Sequence, residues 1–123
     1  MTNVLKSEQF QKSLSKIKDK QFETMIQAII KQLATNGKKL KEPKCKYLQD
    51  GIFELKLYNK SHESRILFFY AFEENSADDE YAVIVMLMKK QKDNYSKEIE
   101  YVKNYRQDFY HTYSNEKELE KLL

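Results

Sequence analysis

An α+β fold is predicted by three features: apolar residues at helical spacing before residue 36, strand-like runs between residues 52 and 88, and a second helical pattern from residue 95. Phe10, Leu14 and Ile17 recur at helical spacing, and after the polar stretch Lys18 to Gln21 the pattern resumes at Phe22, Ile26, Ile29 and Leu33. An N-terminal helical hairpin, or one broken helix, follows. Asn36-Gly37 supplies a left-handed stop and Pro43 bars resumption, so the second helix should end near Ala34 or Thr35. The basic segment Lys38 to Lys46 then reads as a loop.

From Ile52 the period changes to two, with Phe53, Leu55 and Leu57 on one face and Glu54, Lys56 and Tyr58 on the other. Arg65 to Phe72 and Tyr81 to Met88 are apolar on both faces and rich in β-branched and aromatic residues, which suits inner strands. The connections Asn59 to Ser64 and Glu73 to Glu80 are too short for helical crossovers, so consecutive strands should form antiparallel hairpins. Tyr95, Ile99, Val102, Arg106, Phe109 and Tyr113 then return to helical spacing, with Ser96 as candidate N-cap. The charged end Asn115 to Leu123 either continues that helix or frays. The expected architecture is an N-terminal helical hairpin, an antiparallel sheet of three or four strands, and a C-terminal helix, with the helices on one sheet face. No strand is legible before the first helix.

Residues 1–123 fit one domain, since single domains cluster near ~100–150 residues. Two Gly and one Pro leave little room for linkers, while seven Phe and nine Tyr offset a modest aliphatic content. No apolar run approaches the ~18 residues of a membrane span, and MTNVLKSEQF carries no signal-like stretch, so a cytoplasmic protein with no membrane partner is expected. Cys45 stands alone, and His62 and His111 lie far from it in sequence, which leaves no zinc-ligand spacing. Neither a metal nor another cofactor is expected. The net charge is only +3, but it is uneven: five Lys lie in Lys38 to Lys46, three more at Lys89, Lys90 and Lys92, and five acids in Glu73 to Glu80. Such asymmetry steers an anion such as RNA toward one surface, although each run also suits a solvated loop.

Setting Tyr58 opposite Arg65 and Arg65 opposite Met88 sorts the strands into two faces. Phe53, Leu55, Leu57, Ile66, Phe68, Tyr70, Phe72, Val83, Val85 and Leu87 should lie under the helices. The other face collects Glu54, Lys56, Tyr58, Arg65, Leu67, Phe69, Ile84, Met86 and Met88, with Lys90 just beyond. Cations beside aromatic rings suit a phosphodiester and its unpaired bases. Equally, Glu54 could form a surface ion pair with Lys56 or Arg65, worth under ~1 kcal/mol.

Gly51-Ile-Phe-Glu-Leu-Lys-Leu57, Ser64-Arg-Ile-Leu-Phe-Phe69, Val85-Met-Leu-Met-Lys-Lys90 and Glu98-Ile99, in this order and spacing, resemble the phage-derived HigB-like toxins of the RelE/ParE superfamily. The similarity covers about Phe10 to Phe109. Lys56 stands where Arg is usual, and Tyr95 where Pro is common.

The resemblance implies a RelE-like fold and the toxin of a type II toxin-antitoxin system, a metal-independent mRNA endoribonuclease that inhibits translation. It implies as partners a cognate helix-turn-helix antitoxin, mRNA together with the ribosome, and operator DNA only through the antitoxin complex. The family's basic strand residues map onto Lys56, Arg65, Lys89 and Lys90. Arg65 and Lys56 are then expected to hold the phosphate with Lys90, Lys89 and Lys92 to bind RNA, Tyr58 or Phe69 to stack a base, and Glu54 to remove the proton. His111 is a second candidate acid or base if the end of its helix folds over the sheet. Two other readings share this scaffold: a gyrase-directed toxin acting through protein contacts, and a degenerate module that binds RNA or antitoxin without chemistry.

Overall fold

The structure, a computed structural model, describes residues 2–59, 62–72, 80–90 and 94–120. In chain order it comprises β1 (Thr2–Lys6), α1 (Glu8–Ser15), α2 (Lys20–Asn36), a 3-10 turn (Gly37–Lys39), β2 (Cys45–Gln49), β3 (Ile52–Asn59), β4 (His62–Ala71), β5 (Glu80–Lys89), α3 (Ser96–Thr112) and α4 (Glu116–Glu120). The α+β class is as expected. The sheet is larger: among the described residues five strands run in the order β1-β5-β4-β3-β2. It is also mixed, because β1 pairs parallel with β5, Thr2 opposite Glu80 through Lys6 opposite Ile84.

Local chemistry sets the helix limits. The Ser7 hydroxyl accepts from Phe10 N–H at 3.0 Å to cap α1, and donates to the Val85 carbonyl, tying the helix start to β5. Asp19 Oδ1 accepts from Gln21 and Phe22 at 3.0 and 3.2 Å, so the polar stretch separates two capped helices. α2 runs to Asn36 and stops at Gly37, whose φ of 53° suits glycine. A Cβ there would meet Glu80 and Thr2 side chains at the β1–β5 junction. α3 begins one residue earlier than a Ser96 cap would set it: Tyr95 is the N-cap and Ser96 the first helical residue, whose N–H donates to Asn94 Oδ1 at 2.9 Å.

The basic segment is not all loop. Cys45–Gln49 forms an edge strand that turns through Asp50 and Gly51, both with positive φ (53° and 76°), into β3, with Gln49 opposite Ile52. Such two-residue turns with both central φ values positive match the twist of antiparallel strands. β3 and β4 pair from Ile52 opposite Phe69 to Asn59 opposite His62. Lys56, not Tyr58, therefore stands opposite Arg65. The shift is two residues, so it leaves each side chain on its expected face.

β5 differs. Leu67 faces Met86 but Phe68 faces Ile84, which makes Val85 the extra residue of a bulge. Alternation breaks there. Ile84 joins the α1/α2 side, while Val83 and Val85 lie on the α3 side, the reverse of the simple pattern. Phe72, with φ 58°, also lies on the α3 side instead of under α1 and α2.

The helices cover both faces, not one. Phe10, Phe22, Ile26, Ile30 and Leu33 bury Leu55, Ile66 and Phe68 on one side. On the other, Ile99, Val102 and Phe109 of α3 cover Leu67, Phe69 and Val83, and Leu119 of α4 joins them in place of a frayed end. Phe109 rings the second core, 5.7 Å from Phe69, 6.1 Å from Phe72 and 5.0 Å from Tyr113. Truncating a Phe in such a cluster typically costs ~3–5 kcal/mol. No helix among the described residues is long and apolar enough to cross a membrane.

Candidate functional site at the Arg65 cleft

Strand alternation and register together bring one group of side chains to the end of the sheet nearest the start of α3. Glu54, Lys56 and Tyr58 project from β3, and Arg65 and Glu63 from β4. Lys46 of β2 joins them because it stands opposite Glu54. Lys90 is added just past β5, where its N–H donates to the Glu63 carbonyl at 2.9 Å.

Arg65 is the centre, and at 2 % exposure it is almost wholly buried. Its Nη2 donates to Glu63 Oε2 at 2.8 Å and its Nη1 to the Ser64 carbonyl at 3.0 Å. Nε lies 3.5 Å from Glu54 Oε2, and the guanidinium sits 5.6 Å from the centre of the Tyr58 ring. Lys90 Nζ reaches the same Glu63 Oε2 at 3.9 Å. Burial opposes the guanidinium charge, but the Glu63 hydrogen bond and the Glu54 and Glu63 carboxylates outweigh it and raise its pKa.

Glu54 is only 3 % exposed, and its Oε2 has no hydrogen-bond partner among the described residues, nor has Arg65 Nε. The Glu54 ion-pair geometry, close but not hydrogen-bonded, leaves a lone pair for an incoming proton donor. The Tyr95 phenol, at the threshold of α3, interacts with both Glu54 and Arg65. Burial, followed by the Glu54 carboxylate, raises its pKa, with Arg65 partly offsetting them. It is held as a protonated donor.

Glu54 and Tyr95 face a cleft of about 730 Å³ whose wall also includes Lys46, Lys90, Asn94 and Ser96, while Arg65, buried beside Glu54, is not part of that wall. Two ammonium groups, a buried carboxylate and a phenol thus converge on one space. Lys56, half-buried, and Tyr58, 55 % exposed, continue this face along β3. The set can bind an anion, accept a proton and donate one. Among the described residues no group of three or more His, Cys, Asp or Glu side chains could hold a metal ion.

A family model described as phage-derived protein Gp49-like (DUF891) matches residues 10–107. The chain belongs to the Gp49-like family. No curated protein matches it. The matched span includes β2 to β5 and most of α3, and so every cleft residue named above.

Of the residues expected from the sequence, this Gp49-like chain brings together Arg65, Glu54, Lys56, Tyr58 and Lys90. Phe69 lies elsewhere: it is 0 % exposed, edge-on to Phe109 with Arg106 over its ring at 5.9 Å, so no face remains for a base. Lys89 stands opposite Ser64 and projects to the α1/α2 side, away from Lys90. Lys92 and most of the acidic segment Glu73 to Glu80 lie outside the described residues. His111 is in the last turn of the 17-residue α3, roughly 25 Å along the axis from Tyr95. Cys45 lies on β2, and burial pushes its thiol up to about 11, the opposite of a nucleophile's requirement.

Lys46, Glu63 and Tyr95 are site residues that sequence reasoning did not single out. Asp50-Gly51 was the available signal for Lys46, since a two-residue hairpin there places Cys45–Gln49 beside β3. Nothing local marks Glu63 or Tyr95.

Proposed function

We propose that this Gp49-like chain is the toxin of a type II toxin-antitoxin pair of the HigB-like, RelE/ParE kind, and that it cleaves mRNA at the Arg65 cleft without a metal. The buried Glu54 carboxylate carries this reading: it lines the cleft, and its Oε2 is ion-paired with Arg65 at 3.5 Å yet accepts no hydrogen bond among the described residues. The substrate's 2′-hydroxyl attacks the adjacent phosphorus as Glu54 takes its proton. The O2′–P bond forms, the P–O5′ bond breaks, and Tyr95 supplies the proton to the departing 5′-oxygen. Lys46, Lys56 and Lys90 offset the charge that builds on the phosphorane, and the exposed Tyr58 ring stacks a base. Arg65 orients Glu54 and reaches the phosphate once Glu63 yields its hydrogen bond. The products are a 2′,3′-cyclic phosphate and a 5′-hydroxyl. A helix-turn-helix antitoxin silences the protein in the cytoplasm and links it to operator DNA, and the ribosome presents the mRNA.

One observation favours a second reading. Arg65 already has Glu63, Glu54 and the Ser64 carbonyl around its nitrogens. A guanidinium so occupied suits a binding module, acting on RNA, antitoxin or a protein such as gyrase, without chemistry. Incubating purified protein with mRNA, with and without translating ribosomes, decides between them. Cleavage leaving 5′-hydroxyl ends, slowed ~10²–10⁴-fold in Glu54→Gln, is expected of the nuclease. Intact RNA in both conditions supports the binding module.

A further inference from the structure

β2 is a sheet edge, paired on one side with β3 and with no described strand on the other. Across it from the Arg65 cleft lies a second groove of about 570 Å³, walled by Lys38, Lys41, Lys46, Tyr47, Phe53 and Tyr70. Lys46 and Tyr47 line both spaces, so the two meet over β2. The groove has its own chemistry: Glu42 is set against three Lys, and three aromatic rings form much of the floor. Lys38 Nζ lies 5.4 Å from the centre of the Tyr70 ring. Tyr47 is 54 % exposed and stands edge-on to Phe53 at 5.1 Å, while its hydroxyl accepts from Gly51 N–H at 3.0 Å. An exposed ring held at both ends loses little freedom on stacking.

We propose that this groove is a binding subsite for single-stranded RNA, taking the nucleotides that flank those in the Arg65 cleft, so that one strand crosses the β2 edge at Lys46 and Tyr47. The proposal rests on the reading of the Arg65 cleft as an RNA site, but not on cleavage there. Lys38 and Lys41 neutralise backbone phosphates, and Tyr47 stacks a base without selecting its identity. A strand long enough to reach both spaces binds through both. One that fills only the cleft does not sense the groove.

Uncleavable 2′-O-methyl RNAs of about four and about twelve nucleotides, followed by fluorescence anisotropy, test this with wild type, Lys38→Ala/Lys41→Ala and Tyr47→Ala. The double variant should bind the longer RNA about tenfold more weakly, with a salt slope reduced by about 1.4, and the shorter RNA unchanged. Tyr47→Ala should weaken the longer RNA similarly, and Tyr47→Phe should restore it. Unchanged binding of the longer RNA in both variants, alongside weaker binding in Lys90→Ala, would overturn the groove and keep the cleft. An oligo-glutamate peptide that binds wild type but not the double variant, with RNA affinity unchanged, would assign the groove to an acidic peptide and overturn the proposal. If wild type binds neither RNA, groove and cleft readings fall together. Loss through Lys38 and Lys41 in a protein that never cleaves RNA would support the groove and sink the nuclease alone.

Discussion

Arg65 Nη2 donates to Glu63 Oε2 at 2.8 Å on the same strand, and Lys90 Nζ approaches that oxygen at 3.9 Å. Glu63 thus sits between two cations where a phosphate oxygen would bind. Removing its charge should free both. Glu63→Gln is expected to bind uncleavable RNA roughly 3–10-fold more tightly, because an anion no longer competes for Arg65 and Lys90. Weaker binding in the titration would show that Glu63 organises the site instead of occupying it.

The Arg65–Glu54 pair makes a stability prediction. Both are nearly buried, so Arg65→Ala leaves Glu54 as an uncompensated buried charge, at a typical cost of ~3–5 kcal/mol. Urea unfolding should show this loss, and adding Glu54→Leu to Arg65→Ala should recover a large part of it. Additive losses would mean that the two do not act as a pair. Loss of activity in Arg65→Ala therefore reports on folding as well as on the phosphate.

Tyr95 separates binding from chemistry. Its phenol interacts with Glu54 and Arg65 but lies within the cleft wall, so Tyr95→Phe keeps the ring and removes only the hydroxyl. Single-turnover cleavage should fall about 10²-fold or more while RNA affinity stays within about twofold. Equal loss in both would assign Tyr95 to binding alone.

Cys45 sets an alkaline limit on stability. Its thiol pKa rises from 9.0 to about 11 on burial, so the folded state retains a proton that the unfolded chain has released. The contribution is complete below pH 9 and is lost as pH rises toward 11, by ~2–3 kcal/mol. Denaturant unfolding at pH 8 and pH 11 should give a shallower fall for Cys45→Ala than for wild type. Parallel falls would show that the thiol does not titrate with unfolding.

Much of the site was legible because strand alternation survives a register error of two. Glu54, Lys56, Tyr58 and Arg65 share a face whether Tyr58 or Lys56 opposes Arg65. What failed was non-local. β1 exists through parallel pairing with β5, almost eighty positions away, and five residues of Thr2–Lys6 carry no signal of that partner. The Val85 bulge reverses the faces of Val83 and Ile84 without any glycine to mark it. The placement of α3 on the second face decided the fate of Phe69 and His111: it buried one ring and carried the imidazole away from the cleft.

Induced expression of wild type beside Glu54→Gln in a bacterial host, with new mRNA 5′ ends mapped by primer extension, tests the central claim most directly. The account predicts growth arrest and new 5′ ends with wild type, and neither with Glu54→Gln expressed folded at the same level. Arrest with unchanged mRNA ends, or identical cleavage by Glu54→Gln, would contradict it.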